Sequence, residues 1–534
     1  MVTIAAFPIA GICSPGDTVG TTQHDVQSNG SSGNRIVVAD DGTIHVCWMN
    51  SMPWPGIRHI YYNCKTVAGW EFYGGTRASH QTGAGYSQID LLNDGAIILY
   101  HRAPVGAESL FAAIDAANCL GEFSYFRIPN RLGNRNHMWP YLTVDLGGRV
   151  HAISTHNAAV GAPQEVIYNR STDGGITWTA PVAVDTLETI SAVITSSFVS
   201  DKVAIVYTHP IDTTSQWKND VYYIQSADGV DWPWEFGKVN ITDYESDPDS
   251  LYAYTDVDAV FDYNDNLHII WNAQRVGYDV NYPTHLFHLE NDDGVITTVA
   301  TGYDGWPEWG CEFDDWNRQL CKMSLGVHPS NTIYAVYTRF DSSDCSYYGY
   351  ANGEIYMQYS QDFGDSWTAP LNLTNSHTPG CTTGACESDH WSSLAERVDT
   401  SLHILYINDK APGHGVDPGG IITDNPVLYL AHPNPTVGVI GESAALPGPF
   451  ELLGCYPNPF NGATQIVFAA RADAAVSLAV YDISGRLVER LFSGKAREGE
   501  YRIPWDAAGM SSGTYFCRLQ GGGQASSAKL TLIR

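Results

Sequence analysis

Ser171-Thr-Asp173-Gly174-Gly175-Ile-Thr177-Trp178 closes a strand-forming run that begins at Val166-Ile167-Tyr168. The residue types are those of a tight hairpin turn. Ser and Asp side chains satisfy backbone groups within the turn, Gly takes a conformation closed to other residues, and Trp packs back on the strands. The string returns as Ser360-Gln-Asp362-Phe-Gly364-Asp-Ser366-Trp367 and, one residue shorter, as Ser226-Ala-Asp228-Gly229-Val-Asp231-Trp232.

Working outward, each of these hairpins follows another: a short apolar strand, a turn with Asp, Asn or Gly, then an apolar strand ending in an aromatic residue or His. This first hairpin spans Ile36–Trp48, Ile89–His101, Tyr141–His156, Ala192–His209, Val257–Trp271, Met323–Tyr337 and Leu394–Tyr406. Four short strands per unit, repeated seven times, predict an all-β chain whose first part is a seven-bladed β-propeller. The expected boundaries are 1–20 for an N-terminal segment, an export remnant or closing strand, 21–431 for the propeller, 432–449 for a Pro/Gly/Ala-rich linker, and 450–534 for a small Ig-like β-sandwich.

The turn strings resemble the Asp-box, or BNR, repeats of sialidase-like propellers, through Ser171, Asp173, Gly175, Trp178, Asp228, Trp232, Ser360, Asp362, Gly364 and Trp367. In that family the boxes lie on outer turns and support the fold. Phe126-Arg127-Ile128-Pro129 matches the sialidase motif whose arginine grips the substrate carboxylate, but blade register puts it on an outermost strand. Tyr501-Arg502-Ile503-Pro504 repeats the match outside the propeller. Arg127 is therefore read as a surface strand residue.

A propeller hosts its ligand where the innermost strands begin. The segments expected to meet there bring Asp256, Asp258, Asp389, His137 and His390 as candidate catalytic groups. They also bring Arg35, Trp139, Tyr254, Lys322 and Trp391 as candidate ligand contacts. Paired carboxylates are the acid and base of glycoside cleavage, and sugars stack on indole rings. The competing reading, waters or a structural cation such as calcium on channel-lining polar groups, ranks ahead of catalysis. No other cofactor and no metal ligand set is expected. The acidic run Asp243–Asp249 lacks the spacing of a calcium loop and reads as a solvated loop.

The 534 residues carry a net charge of −30, which excludes polyanionic partners such as nucleic acid. The longest apolar stretch, Val2–Cys13, is shorter than the ~20 residues of a membrane span and contains Pro8. It also lacks a basic flank, so a strand outranks a signal remnant. Eleven cysteines are an odd number. Cys381 with Cys386, and Cys311 with Cys321, have the spacing of loop disulfides, and Cys47 reads as a buried thiol. Cys455 and Cys517 could bridge the C-terminal module.

That module closely resembles the C-terminal sorting domain of type IX secretion cargo. The likeness is carried by Tyr456-Pro457-Asn458-Pro459-Phe460-Asn461, Val480-Tyr481-Asp482-Ile483-Ser484-Gly485-Arg486, Trp505-Asp506, Ser512-Gly513-Thr514-Tyr515, and Lys529-Leu-Thr-Leu-Ile-Arg534. It implies the type IX machinery as partner, a signal peptide upstream, and a secreted or cell-surface location. The last strand would be an edge open to capture by strand addition. The functional expectation is an exported protein whose propeller binds an extracellular glycan or surface polymer; the alternative is a glycoside hydrolase or lyase.

Overall fold

The computed structural model describes residues 14–51, 57–93, 95–103, 108–156, 164–188, 191–211, 218–244, 251–275, 283–303, 311–313, 317–413, 421–437, 450–456, 458, 460–470, 474–482, 486–497, 499–521 and 524–533. Among these residues the regular elements are all strands, with no helix, and hence none long and apolar enough to cross a membrane. The chain divides into two compact units, Met1–Pro433 and Asn434–Arg534.

In the first unit consecutive antiparallel hairpins build sheet after sheet. Ile36–Val38, Ile44–Ser51, Arg58–Thr66 and Gly69–Trp70 form one, and Ala84–Leu92, Gly95–Arg102, Ser109–Asp115 and Phe123–Ile128 the next. Arg135–Val144, Val150–His156, Gln164–Ser171 and Val182–Glu188 follow. An eight-stranded sheet runs from Ala192–Ser196 to Ile296–Thr301, its two halves joined through one residue pair, Asn219 and Ala253. Leu320–Val327 opens another sheet. The last contains Ser388–Leu394, Ser401–Asp409 and Asn425–Pro433, completed by Asp17–Thr22 from the start of the chain, with Asp17 opposite Tyr429.

The first strands of successive sheets pack on one another, Ala84–Leu92 on Arg135–Val144, Leu251–Phe261 on Leu320–Val327, and so on round a β-propeller-like ring. A strand held between two neighbouring sheets has no solvent face, so Ile44–Ser51 is buried at every position instead of alternating. Arg127, by contrast, is exposed on the outermost strand Phe123–Ile128.

The turn strings fold as their residue types dictate. Ser171 Oγ accepts the Gly175 N–H at 2.8 Å, Asp173 Oδ1 accepts the Thr177 N–H at 2.8 Å, and Trp178 Nε1 donates to the Gly175 carbonyl at 2.9 Å. The second copy repeats this at 2.8, 3.0 and 3.1 Å through Ser360, Asp362 and Trp367. Gly175 and Gly364 have φ of +83° and +98°, which β-carbons disfavour. In the shortened copy Asp228 Oδ1 still accepts from Val230 and Asp231, but Ser226 Oγ donates to the Asp231 carbonyl at 2.7 Å instead.

One cysteine expectation is overturned. Cys381 does pair with Cys386, whereas Cys311 pairs with Cys345 and not with Cys321, because the turn after Ile333–Cys345 returns the chain beside Cys311. A third disulfide, Cys64–Cys119, joins the first two sheets. Cys47 is fully buried, and burial pushes its thiol up to about 12.

The second unit has a three-stranded sheet, Phe450–Tyr456, Ala463–Ala470 and Gly499–Asp506, and a four-stranded one, Leu487–Ala496, Ala474–Asp482, Gly513–Gly521 and Gln524–Leu532. Phe468, Leu478, Trp505 and Leu530 belong to one core between them. Phe460 is buried there, and Asn458 Oδ1 accepts the Thr531 N–H at 2.8 Å. Gln524–Leu532 is an outer strand of its sheet. Pro457, Pro459, Gly485 and Arg534, the side chains of Lys529 and Cys455, and the stretch 1–13 lie outside the described residues.

Candidate functional site

A buried peg crosses the interior of the ring. The segment 30–35 is hydrogen-bonded to the first strands of five sheet segments. Lys322 Nζ donates to the Gly30 carbonyl at 3.0 Å, Tyr141 Oη to the Ser31 carbonyl at 2.9 Å, and Ser393 Oγ to the Gly33 carbonyl at 2.9 Å. The Val257 N–H reaches Ser31 Oγ at 3.1 Å and the Ile89 N–H the Asn34 carbonyl at 2.8 Å. The expected channel is therefore filled by chain at this level.

Next to the peg, four first strands break their ladders at equivalent places. Registers slip between Gly85 and Gln88, Met138 and Pro140, Cys321 and Ser324, and His390 and Ser393. Each slip holds a left-handed residue that is not glycine: Tyr86 (φ 53°), Trp139 (54°), Lys322 (51°) and Trp391 (57°). A β-bulge re-aims the side chain of its extra residue. Left-handed backbone costs such residues about 1–2 kcal/mol each.

The sequence candidates divide by what already holds them. Asp256 is buried and paired with Lys322, Nζ to Oδ1 at 2.9 Å. Asp258 accepts the Leu325 N–H at 2.7 Å, and burial raises its carboxyl to about 7. Asp389 accepts Ser14 Oγ at 2.8 Å, Ser376 Oγ at 2.7 Å and Asn408 Nδ2 at 2.8 Å, and burial raises it to about 6. Asp256 and Asp258 share the strand Leu251–Phe261, Asp389 lies on Ser388–Leu394, and each serves a structural contact. His390 is buried with Nε2 3.8 Å from Asp409. Tyr254 lies under the Arg318 guanidinium at 4.1 Å, and Trp391 under Lys322 Nζ at 4.7 Å. Arg35 is fully buried and bonded to the Trp391 carbonyl. Trp139, with Tyr86, is half-buried and reaches the surface.

His137 acquires partners that sequence spacing did not reveal. Its Nδ1–H donates to the Asn130 carbonyl at 3.2 Å, leaving the Nε2 lone pair 3.3 Å from Glu165 Oε2. His156 packs edge-on at 5.7 Å, and Arg135 Nη1 lies 3.5 Å from the same carboxylate. Burial lowers His137 to about 4, so it is neutral at pH 7. As a metal centre the group is a poor fit: the Glu165 N–H occupies His156 Nδ1 at 2.9 Å, which places the remaining hydrogen on Nε2. The cysteines beside His45 are joined to each other. The pairing of a strand end, Val150–His156, with the strand start Gln164–Ser171 is what brings His156 and Glu165 together, and hairpin register was the signal for it.

Where first strands end, a cavity of about 300 Å³ is lined by Asn34, Asp90, Ser196, Phe198, Glu396 and Arg397, among others. Burial raises Glu396 to about 8, with Asp90 and Asp258 adding repulsion, and Asp90 rises to about 6. Asn34 Nδ2 donates to Glu396 Oε1 at 2.8 Å and the Val144 N–H to Asp90 Oδ2 at 2.6 Å. Neither carboxylate had stood out in the sequence, since Asp90 lies within the apolar strand Ala84–Leu92 and Glu396 just after Ser388–Leu394.

Comparison with known proteins adds the following. No curated protein matches the chain. Among solved structures, an ulvan lyase bound to a glucuronate–sulfated rhamnose repeat is 10% identical at TM-score 0.46, covering 77% of this chain and 96% of its own. An alpha-L-arabinanase of Penicillium chrysogenum, complexed with arabinobiose, is 10% identical at TM-score 0.40, with coverages of 65% and 93%. A further polysaccharide lyase is 11% identical at 0.42, with 75% and 90%. Residues 454–533 match the family model of the secretion system C-terminal sorting domain. The second unit is thus a type IX sorting tail, and the protein is secreted through that system to the cell surface or beyond.

Proposed function

We propose that the first unit, once exported, binds an extracellular glycan at the end of the ring where the first strands begin, with Trp139 and Tyr86 as stacking surfaces. The observation that carries this reading is the set of bulges: four residues held in left-handed backbone at one end of one ring, three of them aromatic. Backbone strain of this kind concentrates at ligand sites, and aromatic faces suit pyranose rings. In this reading the eight-stranded sheet counts as two blades meeting at Asn219 and Ala253, which makes seven. The hairpins of Ser171 and Ser360 are Asp-boxes of the sialidase type, and the second unit is an Ig-like sandwich.

A second reading, cleavage of the glycan, draws support at one place. Asp256, Asp258 and Asp389 serve structural contacts, so hydrolysis by these paired carboxylates is disfavoured, whereas His137 and Glu165, 3.3 Å apart, are the residue types a lyase uses for proton transfer.

The test is a glycan microarray probed with the full chain, followed by titration of any saccharide bound. Trp139→Ala and Tyr86→Ala should each weaken binding at least tenfold. Failure of the wild type to bind any saccharide overturns the proposal. Release of unsaturated fragments, lost in His137→Ala, would establish the second reading.

A further inference from the structure

Arg35 is a cation taken fully out of water, and among the described residues no carboxylate acts on its charge. Its Nη2 donates to the Trp391 carbonyl, and its backbone N–H to Ser393 Oγ at 3.0 Å. Among the described residues its Nε and Nη1 have no hydrogen-bond partner. Besides burial, the Cys47 thiol and the Tyr141 phenol bear on its charge, and burial pushes the Cys47 thiol up to about 12. Burial lowers the guanidinium to about 10, which still leaves it ionised at pH 7. The other buried cation nearby, Lys322, is neutralised by Asp256 at 2.9 Å.

An isolated buried charge is among the most unfavourable arrangements a protein can hold, and a counter-ion removes that cost where water only softens it. Ser191 Oγ and the indole N–H of Trp391 are buried without a partner among the described residues, each within two residues of the bulge or start of its first strand. Guanidinium, indole and hydroxyl hydrogens in that combination suit an anion.

We propose that Arg35 binds a monovalent inorganic anion of chloride size inside the ring, through its Nε and Nη1 hydrogens. The complete burial of the side chain restricts the ligand to a small ion. The site is separate from the proposed glycan surface and does not depend on it.

Two measurements on the full-length protein test this. Crystals soaked in sodium bromide should show an anomalous bromine peak within hydrogen-bond reach of Arg35 Nε or Nη1. In solution, the thermal midpoint should rise with bromide when it replaces gluconate at constant ionic strength, as binding to the native state alone requires. The Arg35→Met variant should lose that dependence. Absence of the peak, or a wild-type midpoint indifferent to the exchange, overturns the proposal, and neither observation requires the variant to fold.

Discussion

Lys322 and Asp256 hold each other twice: Nζ meets Oδ1 at 2.9 Å, and the Lys322 backbone N–H meets Oδ2 at 2.9 Å. The second bond fixes the bulge at Lys322, so the carboxylate of one sheet segment sets the backbone of the next. Removing one partner strands the other charge in the interior. Asp256→Asn should destabilise the chain by about 3–5 kcal/mol, and the double variant Asp256→Asn with Lys322→Met should recover part of that loss. Urea unfolding of the two variants and the wild type checks both statements; equal stability of Asp256→Asn and wild type would contradict the pair's role.

Gly364 and Gly42 both take positive φ, +98° and +82°, but in different surroundings. A β-carbon on Gly364 would meet His288 Cε1 at 2.0 Å, while one on Gly42 meets nothing within 4 Å. Gly42→Ala should cost only the backbone penalty of about 1–2 kcal/mol. Gly364→Ala should cost about 1–3 kcal/mol more through overpacking of the buried His288. Paired denaturation curves give the difference, and a value near zero would mean the turn shifts freely.

Glu396 carries the pH prediction. Its carboxyl is raised from 4.5 to about 8, so between those values the folded chain binds a proton that the unfolded chain has released. Stability from this group is full below pH 4.5 and falls as pH climbs toward 8, by up to about 1.4 kcal/mol per unit. Asp258 and Asp90 act in the same direction over narrower windows, to about 7 and about 6. His137, lowered to about 4, acts oppositely below 6.5. Glu396→Gln should therefore flatten the decline between pH 5 and 8 relative to wild type; an unchanged slope would refute the assignment.

The disulfides should rank by the loops they close, with separations of 55, 34 and 5 residues for Cys64–Cys119, Cys311–Cys345 and Cys381–Cys386. Chain entropy assigns them about 4, 4 and 2 kcal/mol. Replacing both members of each pair by Ala and measuring unfolding tests the order. A non-reducing peptide map should recover Cys311 linked to Cys345, and a Cys311–Cys321 peptide would overturn that pairing.

Hairpins such as Ile89–His101 and the turns at Ser171 and Ser360 are legible in the sequence because their determinants are local: apolar strands of a few residues and turn side chains that bond their own backbone. Asp256 and Lys322 could be placed at the beginnings of first strands, yet their pairing could not be read, since it depends on how adjacent sheets are angled. The peg at Ser31 is illegible for the same reason. Nothing in Gly30–Arg35 marks it as interior until Tyr141, Val257 and Ser393 arrive from far along the chain. Cys311 misled because spacing favours the near cysteine, while the turn at Ser346–Tyr350 delivers the farther one.

The pairing of Asp17–Thr22 with Asn425–Pro433 has a consequence in time. The partner of Asp17 is Tyr429, 429 − 17 = 412 residues later, and at ~5–20 residues per second the ribosome needs roughly 20–80 s to make that stretch. For that whole interval the newborn chain carries an N-terminal strand with no mate, an open fan whose two free edges are both candidates for wrong partners. A chain stalled before Asn425 lacks the partner of Asp17–Thr22 and leaves the ring open.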